Sequence, residues 1–213
     1  MAHRRLVIFD LDGTIVDAYP AIIDSFNYCM KVLGYAAQQA SVIRRAVGWG
    51  DKNLLAPFLK TQEVEKALVI YRKHHARALR SKTRLFPGVR RLLRLLRDNG
   101  DLVCVASNRP TRFSWVIIRH LGLEKYFDYV LCADKLRMGK PHPEILTRIM
   151  KRYHVPSSFT FYVGDMAIDA QAGRRAGVKT IVVTTGSSSK TELKKERPFA
   201  IIPRISELPR FLC

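Results

Sequence analysis

The 213-residue chain contains no apolar run near the roughly twenty residues needed to cross a bilayer, which excludes a membrane-spanning helix as an expectation. Its first apolar stretch, Leu6 to Phe9, is entered from basic residues but ends at once in Asp10, so no secretory leader is expected. Cytoplasmic residence follows as the default. Cysteine is scarce. Cys29, Cys104, Cys132 and Cys213 show no C-x-x-C spacing, which argues against a zinc site or a disulfide scaffold and for buried free thiols in a reducing compartment. No internal repeat is present. Acidic residues are few, 18 against 37 basic ones, and the net charge is +19.

What the chain does have is regular alternation. Strand-like runs fall at Leu6 to Phe9, Leu102 to Ala106, Tyr129 to Cys132, Thr160 to Val163 and Thr180 to Val183, with Ala200 to Ile202 as a short edge strand. Helical patterns lie between most of them: one opened by Pro87-Gly88-Val89 and closed by Asn99-Gly100, then Phe113 to Leu121, Pro143 to Tyr153 and Ile168 to Ala176. Strands alternating with helices of this length predict an α/β fold with a doubly wound parallel sheet. From Ala18 to Leu85 the alternation breaks. That stretch holds helical patterns only, at Pro20 to Leu33, Gln38 to Val47, Asn53 to Leu59 and Gln62 to Arg80, and is expected to be a helical insert. Ser187 to Arg197 is expected to be a mobile polar loop or frayed helix.

The segment Phe9-Asp10-Leu11-Asp12-Gly13-Thr14 sets two carboxylates where the first strand runs out. Carboxylates are costly to bury. They are tolerated at the carboxyl edge of a parallel sheet, where open α/β proteins bind ligands and a cation can offset the charge. Two acids there suggest a metal-assisted site; a solvated strand end or a helix cap is the plain alternative. Three more segments bear on the same edge: Ser107-Asn108 after Val103-Cys104-Val105-Ala106, then Gly139-Lys140-Pro141, then Gly164-Asp165 with Asp169 after Phe161-Tyr162-Val163.

This ordered set resembles the haloacid dehalogenase superfamily over nearly the whole chain. Asp10 and Asp12 match its first motif, Ser107 the second, Lys140 the third, and Gly164-Asp165 with Asp169 the fourth. The resemblance implies a Rossmann-like core from residues 1–17 and 86–213, with residues 18–85 forming a helical cap like that of the phosphoglycolate phosphatase branch. It implies Asp10 as a nucleophile that becomes transiently phosphorylated and Asp12 as general acid and base. Ser107 and Lys140 would hold the phosphoryl oxygens. Mg2+ would be the cofactor, on Asp10, the backbone carbonyl of Asp12 and Asp165, with Asp169 reaching a ligand water or supporting its neighbour. Substrate contacts are expected from Thr14, from the backbone amide of Asn108, from Arg109 and from Trp49. Several of these carry an alternative: Thr14 as a turn-holder, Arg109 as a surface arginine, and Gly48-Trp49-Gly50 as a helix-helix turn around a core Trp. His74 and His75 are expected on the surface of a cap helix.

The function implied is hydrolysis of a small phosphate monoester, with phosphoglycolate the leading substrate. The second Asp argues for ester chemistry, since branches that cleave carbon–halogen or carbon–phosphorus bonds lack it. A sugar-phosphate mutase like β-phosphoglucomutase would carry a cap histidine soon after the first motif, and Tyr19 to Met30 has none. Pyrophosphatase and nucleotidase activities share every motif residue. A different class is a basic polyanion-binding protein on the same scaffold. Against it, Arg90, Arg91, Arg94 and Arg97 lie opposite Val89, Leu92, Leu93 and Leu96, the pattern of a solvated helix face, so nucleic acid is not expected as a specific partner.

Overall fold

The computed structural model describes residues 4–212; Met1 to His3 and the fourth cysteine, Cys213, lie outside the described residues. The apolar runs expected as strands pair in parallel: β1 (Leu6–Phe9), β4 (Leu102–Ser107), β5 (Tyr129–Cys132), β6 (Thr160–Gly164), β7 (Lys179–Val183) and β8 (Ala200–Ile202). Their order across the sheet is β5-β4-β1-β6-β7-β8. The chain therefore builds outward from β1 first to one side and then to the other, and β1 sits at the point where the order reverses. In open α/β sheets the crevice at that point, beyond the carboxyl ends of the strands, is where ligands bind.

Strand residues alternate between two cores because each faces one side of the sheet. Val7, Phe9, Val103, Val105, Phe161 and Val163 pack with α5 (Val89–Asp98) and α6 (Thr111–His120). Leu6, Ile8, Cys104 and Tyr162 pack against α7 (Glu144–Tyr153), with Ala172 of α8 (Ala167–Ala176) in the same cluster. The α5 arginines are exposed opposite buried Val89, Leu92, Leu93 and Leu96, as the pattern requires. Cys29, Cys104 and Cys132 are buried free thiols. Among the described residues no helix is long and apolar enough to cross a membrane.

Between β2 (Val16–Asp17) and β3 (Arg84–Leu85), a two-residue antiparallel ribbon, the chain makes four helices: α1 (Tyr19–Val32), α2 (Ala40–Ala46), α3 (Asp51–Leu55) and α4 (Val64–Lys82). The ribbon brings the two ends of the insert together. Lys190–Lys195, expected to be a loop or frayed, is an ordered helix, α9. Ser189 Oγ accepts from Glu192 N while Glu192 Oε2 accepts from Ser189 N, so two of the orphan amides at its start are satisfied.

Candidate active site

Asp10 follows β1 directly, and its N–H donates to Val163 O of β6, which continues the ladder one residue past the strand. Ser107 is the last residue of β4, and Asp165 follows Gly164 at the end of β6. The parallel register thus delivers three of the four motifs to one edge. Lys140 arrives from the loop before α7. Its Nζ lies 2.8 Å from Asp10 Oδ1, 2.7 Å from Asp169 Oδ1, 2.9 Å from Tyr162 Oη and 3.2 Å from Ala106 O. Burial alone would lower the proton affinity of this ammonium, but Asp10 and then Asp169 outweigh it and hold Lys140 protonated above the usual lysine range.

Asp10, Asp165 and Asp169 present carboxylate oxygens that all lie within 4.8 Å of one another. All three are buried, and one ammonium opposes them. Burial, opposed by Lys140 and reinforced by Asp169 and Asp12, pushes the Asp10 carboxyl up to about 6. Burial and then the charges of Asp169 and Asp10 raise Asp165 well above the ordinary carboxylate range. Three hard oxygen donors with a surplus of negative charge suit a cation of the Mg2+ type. The donors are not equivalent. Asp169 is already saturated: Oδ1 accepts from Lys140 and Tyr162, and Oδ2 from the N–H groups of Asp165 and Met166. It supports the cluster and caps α8 at once.

Asp165 sits in a close-fitting niche. A Cβ on Gly13 (φ +80°) would stand 2.3 Å from Asp165 Oδ2, and one on Gly186 only 1.6 Å away, so neither position can carry a side chain while Asp165 keeps this pose. Thr14 Oγ1 donates to Asp165 Oδ1 at 3.0 Å and Tyr19 Oη to Oδ2 at 3.3 Å. The Thr14 hydroxyl is therefore committed to this acid and does not line the cavity.

The cavity, about 60 Å³, lies between this edge and the insert. Its sheet side is Asp10, Asp12, Ser107, Lys140 and Asp169; its other wall is largely apolar, from Ile22, Val47, Leu54, Tyr71, Phe113 and Ile168. Asp12 is not one of the three clustered acids. Its Oδ2 accepts from Arg109 Nε at 2.7 Å, and its Oδ1 is buried with no hydrogen-bond partner. Arg109 is 8% exposed, so it is no surface arginine. Ser107 Oγ accepts from Arg109 N at 3.2 Å, which leaves its own O–H free to donate. The Asn108 side chain is a staple: Nδ2 donates to Gly48 O and Lys140 O, and Oδ1 accepts from Lys140 N.

Gly48 and Gly50 line the cavity, but Trp49 does not. Its side chain, 48% exposed, faces a neighbouring groove with Arg72, Arg112 and Lys135. His75, expected on a helix surface, is 1% exposed and reaches the cavity, where its Nε2 lies 2.7 Å from Arg109 Nη1. The available signal was its register on α4: Leu68, Tyr71, His75 and Leu79 recur at helical spacing on the buried stripe.

Comparison with known proteins gives the family and the fold. The family model described as haloacid dehalogenase-like hydrolase matches residues 7–183. A phosphoglycolate phosphatase of Rhodobacter capsulatus is 33% identical over 216 residues, covering 94% of this chain and 96% of that protein. One from Pseudomonas fluorescens is 30% identical over 213 residues, 96% of this chain and 78% of its own length. The crystal structure of a predicted phosphoglycolate phosphatase from Haemophilus somnus superposes with a TM-score of 0.93 over the full length of both chains at 23% identity, a likeness of fold.

Proposed function

This chain belongs to the haloacid dehalogenase-like hydrolases, and on that premise we propose that it is a Mg2+-dependent phosphatase acting on a small phosphate monoester, phosphoglycolate first among candidates. The observation that carries the reading is Asp10: one oxygen is paired with Lys140 at 2.8 Å, while the other makes no hydrogen bond at the edge of the cavity.

Asp10 Oδ2 attacks phosphorus, and the ester oxygen departs with a proton from Asp12, giving the alcohol and an aspartyl-phosphate. Water then attacks that phosphorus, gives a proton back to Asp12 and releases inorganic phosphate with Asp10 restored. Lys140 and the Ser107 hydroxyl donate to the phosphoryl oxygens, where charge spreads in the transition state. Asp10, Asp165 and the backbone carbonyl of Asp12 would hold Mg2+, which when bound neutralises carboxylate and phosphoryl charge together. Support for a small substrate comes from the modest cavity between the sheet edge and the insert, with about 60 Å³ open to the centres of water molecules. Arg109 is the guanidinium within it and suits a carboxylate on the leaving group.

The experiment is a phosphate-release screen over phosphoglycolate, sugar phosphates, nucleotides and pyrophosphate, with Mg2+ or with chelator. We expect a marked preference for the smallest anionic ester, dependence on Mg2+, and a loss of about 10⁴-fold or more in Asp10→Asn. Full activity in that variant, or release in chelator, would refute the mechanism. A flat profile would remove phosphoglycolate alone.

A further inference from the structure

His75 takes no part in the chemistry above, yet the insert places it in the cavity, and its hydrogen bonds define its state. A guanidinium is a donor only, so Arg109 Nη1, 2.7 Å from Nε2, requires that nitrogen to be unprotonated. The ring proton then resides on Nδ1, where Ser25 Oγ accepts it at 3.1 Å. Ser25 donates in turn to Ala21 O at 2.7 Å, and its remaining lone pair faces His74 Nδ1 at 3.2 Å. The ring is packed between Tyr71 at 4.7 Å and Phe113 at 5.2 Å. Burial and the adjacent Arg109 charge hold its proton affinity well below the ordinary histidine value, in keeping with a neutral ring.

Arg109 is consequently held at two points, Nη1 by His75 of the insert and Nε by Asp12 Oδ2. Asp12 Oδ1 is left as the oxygen with no partner. We infer that His75 is a positioning residue for proton transfer: through Arg109 it fixes the Asp12 carboxylate, so that a residue of the helical insert sets the pose of the acid and base at the sheet edge. The inference rests on the phosphatase reading of this site. It goes beyond it because neither nucleophile, acid, phosphate donors nor metal ligands require a histidine on α4.

The test compares two substrates that differ in their need for an acid. An alkyl phosphate without a carboxylate, such as ethyl phosphate, leaves as a poor alkoxide and requires protonation; acetyl phosphate, of similar size, releases acetate, which does not. With Mg2+ present, His75→Ala should lower kcat/KM for the alkyl phosphate by about 10²-fold, the lower end of what a general acid contributes, and for acetyl phosphate by no more than about fivefold. His75→Gln, whose Oε1 can accept from Arg109 while its amide donates to Ser25, should recover most of the loss. Equal losses on both substrates would reduce His75 to a packing role, and no loss on either would remove it from the site; both overturn the inference. A second readout needs no activity. The 15N spectrum of the wild-type protein should show His75 as the neutral Nδ1–H tautomer, and Arg109→Met should release it from that form. An Nε2–H tautomer in the wild type overturns the inference whatever the assays give. A wild type that releases phosphate from no ester would refute the phosphatase reading and the positioning role with it, and the spectrum would then show whether the His75–Arg109 contact itself stands.

Discussion

The sheet side and the insert side of the cavity are built on opposite terms. On the sheet side nearly every polar atom is engaged: Lys140 Nζ has four acceptors, and Asp169 receives four donors. The exceptions are Asp12 Oδ1, the Ser107 hydroxyl proton and Asp10 Oδ2, which on the proposed mechanism attacks phosphorus. Toward the insert, Arg109 Nη2 and the Tyr71 hydroxyl make no hydrogen bond among the described residues. One side is a tightly bonded block of three acids around one ammonium, which on the proposed mechanism fixes where phosphorus sits. The other keeps open valences for whatever is attached to it, and it is held together by contacts between the insert and the sheet edge.

The largest effect should come from breaking the sheet side. Lys140→Met removes the single cation among Asp10, Asp165 and Asp169 and leaves buried acids uncompensated. Removing one partner of a buried ion pair typically destabilises by about 3–5 kcal/mol, and loss of a transition-state donor lowers kcat by about 10²- to 10³-fold. Denaturant unfolding in chelator and a phosphate-release assay measure the two. Saturating Mg2+ should restore part of the stability, because a divalent ion supplies the missing charge. A variant as stable as the wild type in chelator would mean that the three acids are not jointly charged.

A smaller effect separates the sides by the sign of their pH dependence. Neutral His75 has a folded-state pKa well below the unfolded value near 6.5, so below that pH the unfolded chain binds a proton that the folded one refuses. Its contribution is present above about pH 6.5 and is lost as pH falls, with a slope of up to about 1.4 kcal/mol per unit. Asp10, raised from 3.8 to about 6, works the other way: its contribution is present below pH 3.8 and lost as pH rises through about 6. The two overlap in the raw curve. The difference between wild type and His75→Gln isolates the histidine, and the wild type's stability relative to the variant should decline between pH 7 and pH 5. A flat difference would mean that His75 titrates in the fold as it does unfolded, which a ring buried against Arg109 cannot do.

The same division governs what is legible in the sequence. Asp10, Ser107 and Asp165 each follow a short apolar run, and parallel strands bring such ends to one edge whatever lies between them, so that side can be read without coordinates. Lys140 follows no strand and joins them only through its resemblance to the family's third motif. The insert side depends on how α4 docks. Nothing local to His75 announces that it meets Arg109, 34 residues away, because that contact is set by the packing of α4 on α6. The ribbon Val16–Asp17 with Arg84–Leu85 is too short for any periodicity to show. The serines and charges from Ser187 to Arg197 read as a loop or frayed helix, and the reciprocal Ser189–Glu192 bonds that start α9 show only in the structure.

Trp49 offers the smallest expected effect and the sharpest test of where the insert side ends. It lies between two glycines that do line the cavity, and the Gly48 carbonyl accepts from Asn108 Nδ2 at 2.8 Å, so the loop backbone is tied to the second motif. The indole itself faces outward, beside Arg72 and Arg112. Its backbone role survives truncation of the side chain, and a half-exposed ring contributes little to the fold. Trp49→Ala should therefore leave kcat/KM for a small ester within about twofold of wild type, since no contact made in the transition state is removed. A loss of about tenfold or more, confined to bulkier esters, would mean that the groove receives the far end of the substrate and that the cavity's 60 Å³ understates the site.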